Sequence, residues 1–409
     1  MSGMVNSTPT FSPAQGTDPI DEGVHALQKA GVIMLRASDI PYDGRHVVID
    51  GRPLLNFGGC SYLGLELRTE LRNGAIEATR RYGTQFSFSR AYLESPLYQE
   101  LETELAALTG GQPLVTPSTT LGHIAALPVL IRPGDAVIVD QFAHASVQTA
   151  AGLVRGADLE PLRHSRLDRL EARLTALASR HERIWYLLDG VYSMHGDVAP
   201  LEGLGELLER FPGLHLYIDD AHAVSWAGHQ GRGLALDAFA GHPRVVVALS
   251  LNKAFSAAGG CLVFSSSDVR DRVRRCGGPM LFSGPVQPPM LGAALASAWL
   301  HRSEEFPLLQ QALAQRIDLV LSSQRVVPLV SSERTPIFFV PCGPDQACMA
   351  LSQGLREAGF YTSPSIFPAV PRNRSGVRFT VSLHNSLEDI ERLTGALAQL
   401  HQPLADTGS

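Results

Sequence analysis

Five short apolar runs, separated by segments with helical periodicity, constrain the fold of this chain more than any other feature. The runs are residues 136–140, 184–189, 214–220, 245–249 and 261–264. Short runs that are apolar on both faces are typical of strands buried in a parallel sheet. Between them, residues 167–178 and 201–209 repeat apolar side chains at helical spacing. The alternation predicts an α/β fold with a mainly parallel sheet flanked by helices.

Polar side chains collect where four of these runs end, and one of them is a lysine. The polar segments are residues 140–146, 189–197, 219–222 and 250–253. Because ligands bind at the carboxyl ends of strands in such sheets, these segments predict a site. Lys253 follows a buried strand and precedes small residues and a Gly-Gly pair. It is either a solvated loop residue or an amine held for covalent work as a Schiff base.

The remaining patterns divide the chain into five parts. Residues 1–20 are polar and rich in Ser, Thr, Pro and Gly, which predicts a disordered leader. Residues 21–57 predict a helix at 21–35 and then a hairpin that turns at Asp50-Gly51. We expect a large domain at 58–290, a smaller α+β domain at 291–400 and a tail at 401–409.

Composition excludes several classes of function. A net charge of −6 gives no reason to expect nucleic acid as a partner. No stretch approaches the roughly 20 apolar residues needed to span a bilayer, and the first residues lack the pattern of a signal peptide. The five cysteines have no metal-ligand spacing, so we expect no metal site and reduced thiols in a cytoplasmic protein.

Two motifs make the polar strand ends recognisable. Residues 218–233, IDDAHAVSWAGHQGRG, resemble the D-x-x-H-x-x-G-x-x-G-x-x-G-R-G signature of the α-oxoamine synthases. Residues 189–201, DGVYSMHGDVAPL, are similar to the family's D-G-V-F-S-M-D-G-D-x-A-P-L segment. Three further matches follow the family's order: SYLGL at 61–65, AHAS at 143–146 and SLNKAFSAAGG at 250–260. The resemblance runs from about Arg36 to Leu397.

The resemblance implies a fold-type-I pyridoxal phosphate enzyme with a seven-stranded, mainly parallel sheet. It implies that Lys253 forms the Schiff base with pyridoxal 5'-phosphate and that Asp219 pairs with the pyridine nitrogen, which keeps the ring an electron sink. His222 would hydrogen-bond to the ring phenolate oxygen, and His144 would stack on the ring. Without the motifs, Asp219 would be assigned to a turn or helix cap, and the histidines to the core and a helix start.

Hydroxyl side chains complete the implied cofactor site. Ser193 matches the serine of the family's S-M-x-G-D turn, near the ring and the substrate. Ser250 takes the position of a phosphate-binding hydroxyl. Ser118, Thr119 and Thr120 precede an apolar helix, predicted at 121–130, whose N-terminus suits a phosphate. Ordinary N-capping would explain these hydroxyls as well, and the two roles can coexist.

Three residues are candidates for binding substrate. Arg378 corresponds to the family's arginine that grips the amino-acid carboxylate, a contact that suits a guanidinium fork; a surface ion pair is the alternative. Arg36 is an acyl-substrate candidate or a solvated helix-end charge. Cys60 stands where the family's N-D-Y-L-G-L loop carries an amide that faces substrate.

Departures from the family concentrate around the substrate. Residues 88–102 lack the glycine and histidine of the family's G-S-R-x-x-x-G-x-x-x-x-H stretch and lean toward the autoinducer synthases. Pro117 replaces an aromatic residue, and Ser225 replaces a motif glycine. The segment 282–289 has one residue more than the family's F-S-T/N-S-x-P-P, with the change at 284–287, where a phosphate contact across subunits is expected.

The resemblance implies an α-oxoamine synthase that condenses a small amino acid with an acyl thioester. The amino acid would be alanine, glycine or serine, the thioester an acyl-CoA or acyl carrier protein, and the products an α-aminoketone, carbon dioxide and free thiol. Family analogy implies a homodimer. An aminotransferase of the same fold and a pyridoxal phosphate-binding protein without catalysis are the alternatives.

Overall fold

The structure, a computed structural model, describes residues 19–401. The predicted leader lies outside this range except for residues 19 and 20, and the tail lies outside it from residue 402. The helices are α1 (Pro19–Lys29), α2 (Thr69–Tyr82), α3 (Pro96–Thr109), α4 (Thr119–Leu130), α5 (Ala145–Ala151), α6 (Leu167–Leu177), α7 (Leu201–Arg210), α8 (Leu234–Phe239), α9 (Ser267–Cys276), α10 (Gly278–Phe282), α11 (Pro288–His301), α12 (Phe306–Ser322), α13 (Asp345–Glu357) and α14 (Leu387–Leu400).

The strands fall into three sheets. They are β1 (His46–Ile49), β2 (Arg52–Asn56), β3 (Gln112–Thr116), β4 (Ala136–Asp140), β5 (Asp158–Leu162), β6 (Ile184–Asp189), β7 (Leu214–Asp219), β8 (Val245–Ser250), β9 (Gly260–Phe264), β10 (Ile337–Gly343), β11 (Phe360–Tyr361), β12 (Ser363–Ser365) and β13 (Ser375–Thr380). Two 3₁₀ turns, Leu65–Leu67 and His229–Gly231, lie between them.

The largest sheet has seven strands in the order β3-β9-β8-β7-β6-β4-β5. Strands β8, β7, β6, β4 and β5 pair in parallel, whereas β9 pairs antiparallel with both β8 and β3. Every residue of β4, β6, β8 and β9 is buried, because helices cover both faces of the sheet. The predicted α/β fold with a mainly parallel seven-stranded sheet is confirmed.

Apolar side chains on the two faces of this sheet form separate cores. Ile138, Leu188 and Ile218 pack on one face beneath α3, α6 and α7. Val139, Leu187 and Tyr217 point to the other face, where α4 and α5 cover them. Side chains of one strand alternate between the two cores, as the period of a pleated strand requires. This packing fixes the carboxyl ends of the central strands side by side.

The N-terminal arm joins the C-terminal part of the chain. Strands β1 and β2 form the predicted hairpin, with Asp50 and Gly51 both at positive φ in its two-residue turn. Strand β11 pairs in parallel with β2, while β10, β13 and β12 form a separate antiparallel sheet. A third core includes Leu55 of the hairpin, Phe338 and Phe379. The division into a large and a small domain stays a prediction.

Helix α1 is shorter than the sequence predicts. The pattern at 21–35 predicts a helix to Leu35, but α1 ends at Lys29 and Gly31 has φ 67°. A left-handed glycine just after the last turn is a common way to end a helix. None of the helices within residues 19–401 is long and apolar enough to cross a membrane.

Candidate active site

The candidate site lies where β6, β7 and β8 end next to one another. Asp189 and Asp219, the last residues of β6 and β7, stand opposite each other in the parallel register. Asp219 in turn pairs with Ala248 of β8, two residues before that strand ends. Lys253 follows in the loop after β8 and is half-buried. The sheet therefore brings together the segments whose polar residues the sequence singled out.

Asp219 is a buried carboxylate held by hydrogen bonds. Its Oδ1 accepts from the backbone N–H of Ala221 over 3.0 Å, and its Oδ2 lies 3.0 Å from Nε2 of His123. Burial alone would raise the pKa of Asp219. The charge and hydrogen bond of His123, with the positive charge of Lys253, outweigh burial and hold that pKa well below its usual range. Asp219 is therefore ionised, as a partner for a protonated pyridine nitrogen has to be.

His123 is a site residue that the sequence analysis did not find. Its imidazole is fully buried on α4, between Asp219 and the hydroxyl of Tyr217, which lies 2.8 Å from Nδ1. An ionised carboxylate can only accept, so Nε2 carries the proton that it shares with Asp219. The available signal was a single imidazole inside the apolar run at 121–130. No periodicity shows that this histidine meets the end of β7.

Asp189 differs from Asp219 in its pKa, although the two residues end neighbouring strands at the same edge of the sheet. Burial and the neighbouring charge of Asp219 raise the pKa of Asp189 well above its usual range. Its Oδ1 accepts the backbone N–H of His144 over 2.9 Å. Two adjacent buried carboxyl groups do not both ionise readily, and the hydrogen bonds assign the charge to Asp219. Asp189 therefore serves to fix the loop that carries His144.

His144 and His222 approach the site from two sides as neutral imidazoles. His144 caps α5, and its Nδ1 lies 2.6 Å from the hydroxyl of Ser146. Burial, together with the charge of Lys253, lowers the pKa of both histidines, and that of His222 most. Nδ1 of His222 lies 2.8 Å from the hydroxyl of Tyr62. His222 is thereby oriented by the loop at 61–65, a role that the motif alone did not assign to Tyr62.

The implied phosphate end of the site is built from the start of α4 and the end of β8. Ser118 caps α4 by accepting from the N–H of Leu121 over 3.1 Å, and Thr119 donates to the carbonyl of Leu249 over 3.3 Å. Gly260 lets the two segments approach, since a Cβ there would lie 2.6 Å from the Thr119 nitrogen. Ser250, which donates to Asn252 over 2.9 Å, is buried. Thr120 is exposed on the same turn.

Arg378 connects the small antiparallel sheet to the candidate site. Its Nε donates to the carbonyl oxygen of Ser193 over 2.6 Å, and its Nη2 lies 3.7 Å from Sγ of Cys60. Arg378 as a whole residue is only 6% exposed, and no acidic side chain pairs with it among residues 19–401. A surface ion pair is thus not its role. Arg378, Cys60 and Ser193 therefore lie together.

Arg36 belongs to the N-terminal arm and not to the strand ends that carry the candidate site. It is exposed in the segment between α1 and β1, next to Ala37, which bridges to Ile49. The side chain of Arg36 forms no hydrogen bond or ion pair with another residue in the range 19–401. Its role in binding the acyl substrate therefore stays a prediction.

Lys253 is one of only two lysines in the chain, the other being Lys29 on α1, whereas arginines number 32. Arginine is always charged and suits surface pairing, while lysine can lose its proton and form a Schiff base. The chain thus uses arginine almost throughout and keeps a lysine beside Asp219. This contrast was available in the composition and strengthens the assignment of Lys253.

Known proteins share both the fold and the motifs. The aminotransferase class I and II family model matches residues 53–397. An 8-amino-7-oxononanoate synthase of Maricaulis maris is 35% identical over 88% of this chain and 90% of its own length. Another, of Herminiimonas arsenicoxydans, is 32% identical over 91% of this chain and 96% of its own. The chain belongs to the aminotransferase class I and II family, in its α-oxoamine synthase branch.

Solved structures of the same branch confirm the fold. Serine palmitoyltransferase from S. paucimobilis, a lysine-to-alanine variant with a bound PLP-myriocin aldimine, has a TM-score of 0.86 at 20% identity, covering 94% of this chain and 96% of that one. The enzyme from Sphingomonas wittichii has a TM-score of 0.85 at 23% identity, with the same coverage. The fold-type-I prediction and the resemblance to the α-oxoamine synthases are both confirmed.

One departure of this chain from the family's motifs affects its backbone conformation. Ser225, in place of a motif glycine, has φ 78°, a region in which non-glycine residues are strained. Its backbone N–H donates to Gly231, but its buried hydroxyl has no partner among residues 19–401. The substitution therefore introduces backbone strain and a buried hydroxyl that the motif glycine would not have.

Proposed function

We propose that this protein is a pyridoxal phosphate-dependent α-oxoamine synthase that joins a small amino acid to an acyl thioester. The observation that carries the proposal is the ionised, buried Asp219 with Lys253 near it at the ends of neighbouring strands. Family membership supports the same reaction class. Pyridoxal phosphate, when bound, would draw electrons from the substrate α-carbon and so make its proton and carboxylate easier to remove.

The residues present fit this cofactor. Lys253 would hold it covalently, and the charge of Asp219 suits a protonated ring nitrogen. The start of α4, with its free backbone N–H groups and the hydroxyls of Ser118 and Thr119, suits a phosphate. The neutral imidazole of His222, held by Tyr62, would donate to the ring phenolate oxygen.

The chain's own residues then divide the remaining work. Arg378 would bind the carboxylate of the amino acid, beside the thiol of Cys60 and the carbonyl of Ser193. The amine of Lys253 would move the proton from the substrate α-carbon, work that typically contributes roughly 10²- to 10⁴-fold in rate. His144, neutral because it is buried, can cover the ring without adding charge.

The overall reaction balances without a further reactant. A carbon–carbon bond forms between the amino-acid α-carbon and the acyl carbonyl carbon, and the carbon–sulfur bond breaks. The amino-acid carboxylate leaves as carbon dioxide, and a proton takes its place on the α-carbon, which balances the α-proton that was removed before the condensation. The thiolate takes up a second proton from solvent. The products are an α-aminoketone, carbon dioxide and free thiol in equal amounts.

Product analysis tests this function directly. Alanine, glycine and serine, each labelled at the carboxyl carbon, are incubated with the reconstituted protein and a panel of acyl-CoAs and acyl carrier proteins. We expect labelled carbon dioxide and free thiol to appear in a 1:1 ratio with one amino acid. Transfer of the amino group to a keto acid, without carbon dioxide, would instead identify an aminotransferase, and binding of the cofactor without either reaction would identify a non-catalytic protein.

We propose a homodimer as the working form. Phe282 and Tyr92 are 88% and 91% exposed, and Ser89 donates to the carbonyl of Leu281, which ties their two segments together. Apolar surface of this kind supports an interface with a second copy. Sedimentation of the unmodified protein and of Phe282→Ser tests it, with a larger monomer fraction expected for the variant.

The five free cysteines agree with a cytoplasmic location.

A further inference from the structure

A cavity of about 430 Å³ borders the candidate site. Its wall runs along residues 141–145, 148, 192–195 and 367–371, so it includes both His144 and Ser193. The volume lies in the range of about 300 to 1,000 Å³ that is usual for small-molecule sites. It exceeds what a small amino acid needs, and Arg378, the candidate for that substrate's carboxylate, does not line it. The thioester's acyl chain is the substrate part that remains to be placed.

The cavity wall carries no formal charge. No Lys, Arg, Asp or Glu within residues 19–401 lines it, and burial lowers the pKa of both of its histidines, His144 and His195. Phe142, Phe367 and Val370 supply much of the apolar surface. Transferring a carboxylate from water to such a wall is costly, because no positive charge on the wall compensates for the lost hydration.

A hydrogen-bonded group of side chains with a net negative charge lies behind the same wall. The ring of His164 bridges Asp140 and Asp197 at 2.9 and 2.7 Å and packs on Phe142 and Tyr192, which line the cavity. Burial opposes the protonation of His164, but the two carboxylates raise its pKa to about 9. With His164 protonated, the three groups sum to one negative charge. This charge disfavours an anionic acyl chain further.

Two neutral polar groups on the wall lack hydrogen-bond partners within residues 19–401. His195 forms no hydrogen bond, and its ring is held edge-on between Phe142 and Phe339, with centroids 5.8 and 4.9 Å away. Tyr192 is 2% exposed, and its hydroxyl has no partner. The family pattern has an aspartate where this chain has His195. The hydroxyl of Tyr192 is buried, and a buried polar group without a partner is unfavourable unless a ligand supplies one. His195 is half-buried on the cavity wall, so a ligand in the cavity can use its free hydrogen-bonding capacity.

We propose that this cavity binds the acyl chain of the thioester and selects an uncharged chain, with His195 as the specificity residue that hydrogen-bonds to a neutral oxygen substituent on it. The proposal deepens the proposed function and rests on it. A hydroxyl, ketone or ester oxygen has the required chemistry, since a neutral imidazole can donate to it. A free carboxylate in the chain could accept the same hydrogen bond, but it would bring a negative charge that no cation on the wall compensates.

Donors of matched chain length test this on the unmodified protein. One set of acyl-CoAs ends in methyl, one in carboxylate, and one carries a hydroxyl at successive positions. We expect kcat/KM to be at least tenfold lower for the carboxylate than for the methyl donor. At one position the hydroxyl should raise kcat/KM above that of the methyl donor. Equal or better use of the carboxylate donor would overturn the inference while leaving the proposed function intact.

The variant His195→Phe separates specificity from structure. It keeps an aromatic ring between Phe142 and Phe339 but removes both nitrogens. We expect KM for the preferred hydroxyl donor to rise roughly three- to tenfold, the usual range for one lost neutral hydrogen bond, and to rise by a smaller factor for the methyl donor. His25→Phe, on the exposed surface of α1, is the control and should alter neither.

Two results would contradict this assignment. An equal loss with all donors in His195→Phe would identify a structural role for His195 and overturn it as the specificity residue. No turnover with any donor or amino acid in the unmodified protein would overturn the proposed function, and this inference with it.

Discussion

His123 and Asp219 share a hydrogen bond of 3.0 Å between Nε2 and Oδ2, and both side chains are buried. Helix α4 contributes the first residue and the end of β7 the second, so the bond joins two layers of the fold. Because burial alone would raise the pKa of Asp219, the imidazole keeps the carboxylate ionised where the cofactor ring is expected.

Replacement of His123 should therefore weaken catalysis, because His123 acts through Asp219 and not through a contact with the substrate. We expect His123→Phe to lower kcat/KM by roughly 10- to 100-fold, as loss of about 1.5–3 kcal/mol of hydrogen bonding to a charged group predicts. Tyr217→Phe removes only the 2.8 Å contact to Nδ1 and should cost less than tenfold. Steady-state kinetics, with thermal unfolding to show that both variants fold, provides the check. Equal effects of the two variants would contradict the role of His123 at Asp219.

Arg378 should matter for the amino acid and not for the thioester. Arg378→Lys keeps the charge but loses the fork that reaches both the Ser193 carbonyl and the Cys60 thiol. We expect KM for the amino acid to rise roughly 10- to 100-fold, on the basis of about 1.5–3 kcal/mol for hydrogen bonds to a charged group. KM for the thioester should stay within about threefold of its value in the unmodified protein. This change is smaller than the one that loss of a neutral hydrogen bond typically causes. A selective rise for the thioester would place Arg378 at the other substrate.

Ser225→Gly should stabilise the protein. A non-glycine residue in the left-handed region is strained by about 1–2 kcal/mol, and the Ser225 hydroxyl is buried without a partner in the described range. Glycine gives the unfolded chain more conformational entropy, and this offsets about 0.5–1 kcal/mol of the stabilisation gained by relieving the strain. We expect a net gain of about 1 kcal/mol, the difference between these ranges, measured by urea unfolding. Ser256→Gly is the control: Ser256 also has positive φ, but its hydroxyl donates to Glu66, so no gain is expected.

The bridge of His164 between Asp140 and Asp197 should make stability depend on pH. Burial opposes the charge of His164, yet the two carboxylates raise its folded pKa to about 9, above the unfolded value near 6.5. A raised pKa adds stability that is complete below about pH 6.5 and is lost as the pH rises through about 9.

The difference in unfolding free energy between the unmodified protein and His164→Gln measures this contribution. We expect the difference to be largest at about pH 6 and to shrink by about pH 9.5, in urea titrations at fixed salt. A difference that grew with pH would mean that His164 is neutral in the folded protein.

The central strands could be predicted from sequence because they are buried on both faces. β4 and β6 were placed to the residue, and β7, β8 and β9 within one residue. No strand was assigned to β3 or β5. β5 reads Asp-Leu-Glu-Pro-Leu and is largely exposed at the sheet edge, so it lacks an apolar run. β3 follows Gly110-Gly111, which signalled only the end of a helix.

The sequence motifs predict the main residues of the site but not the contacts that hold those residues in place. Asp219, His222, His144 and Lys253 stand in recognisable segments, and the sheet topology brings them together. His123 and Tyr62 act from 96 and 160 positions away in sequence, a separation that no local pattern reports. The roles of all these residues on the cofactor stay predictions.

The two lysines of the chain allow the most direct test of the central claim. The protein is reconstituted with pyridoxal phosphate, reduced with borohydride to fix the pyridoxyl group on its lysine, digested and mapped by mass spectrometry. Lys253→Ala and Lys29→Ala are treated alike. We predict one pyridoxyl group per chain, on Lys253, which persists in Lys29→Ala and disappears in Lys253→Ala. A pyridoxyl group on Lys29, or none on Lys253 in the unmodified protein, would contradict the account.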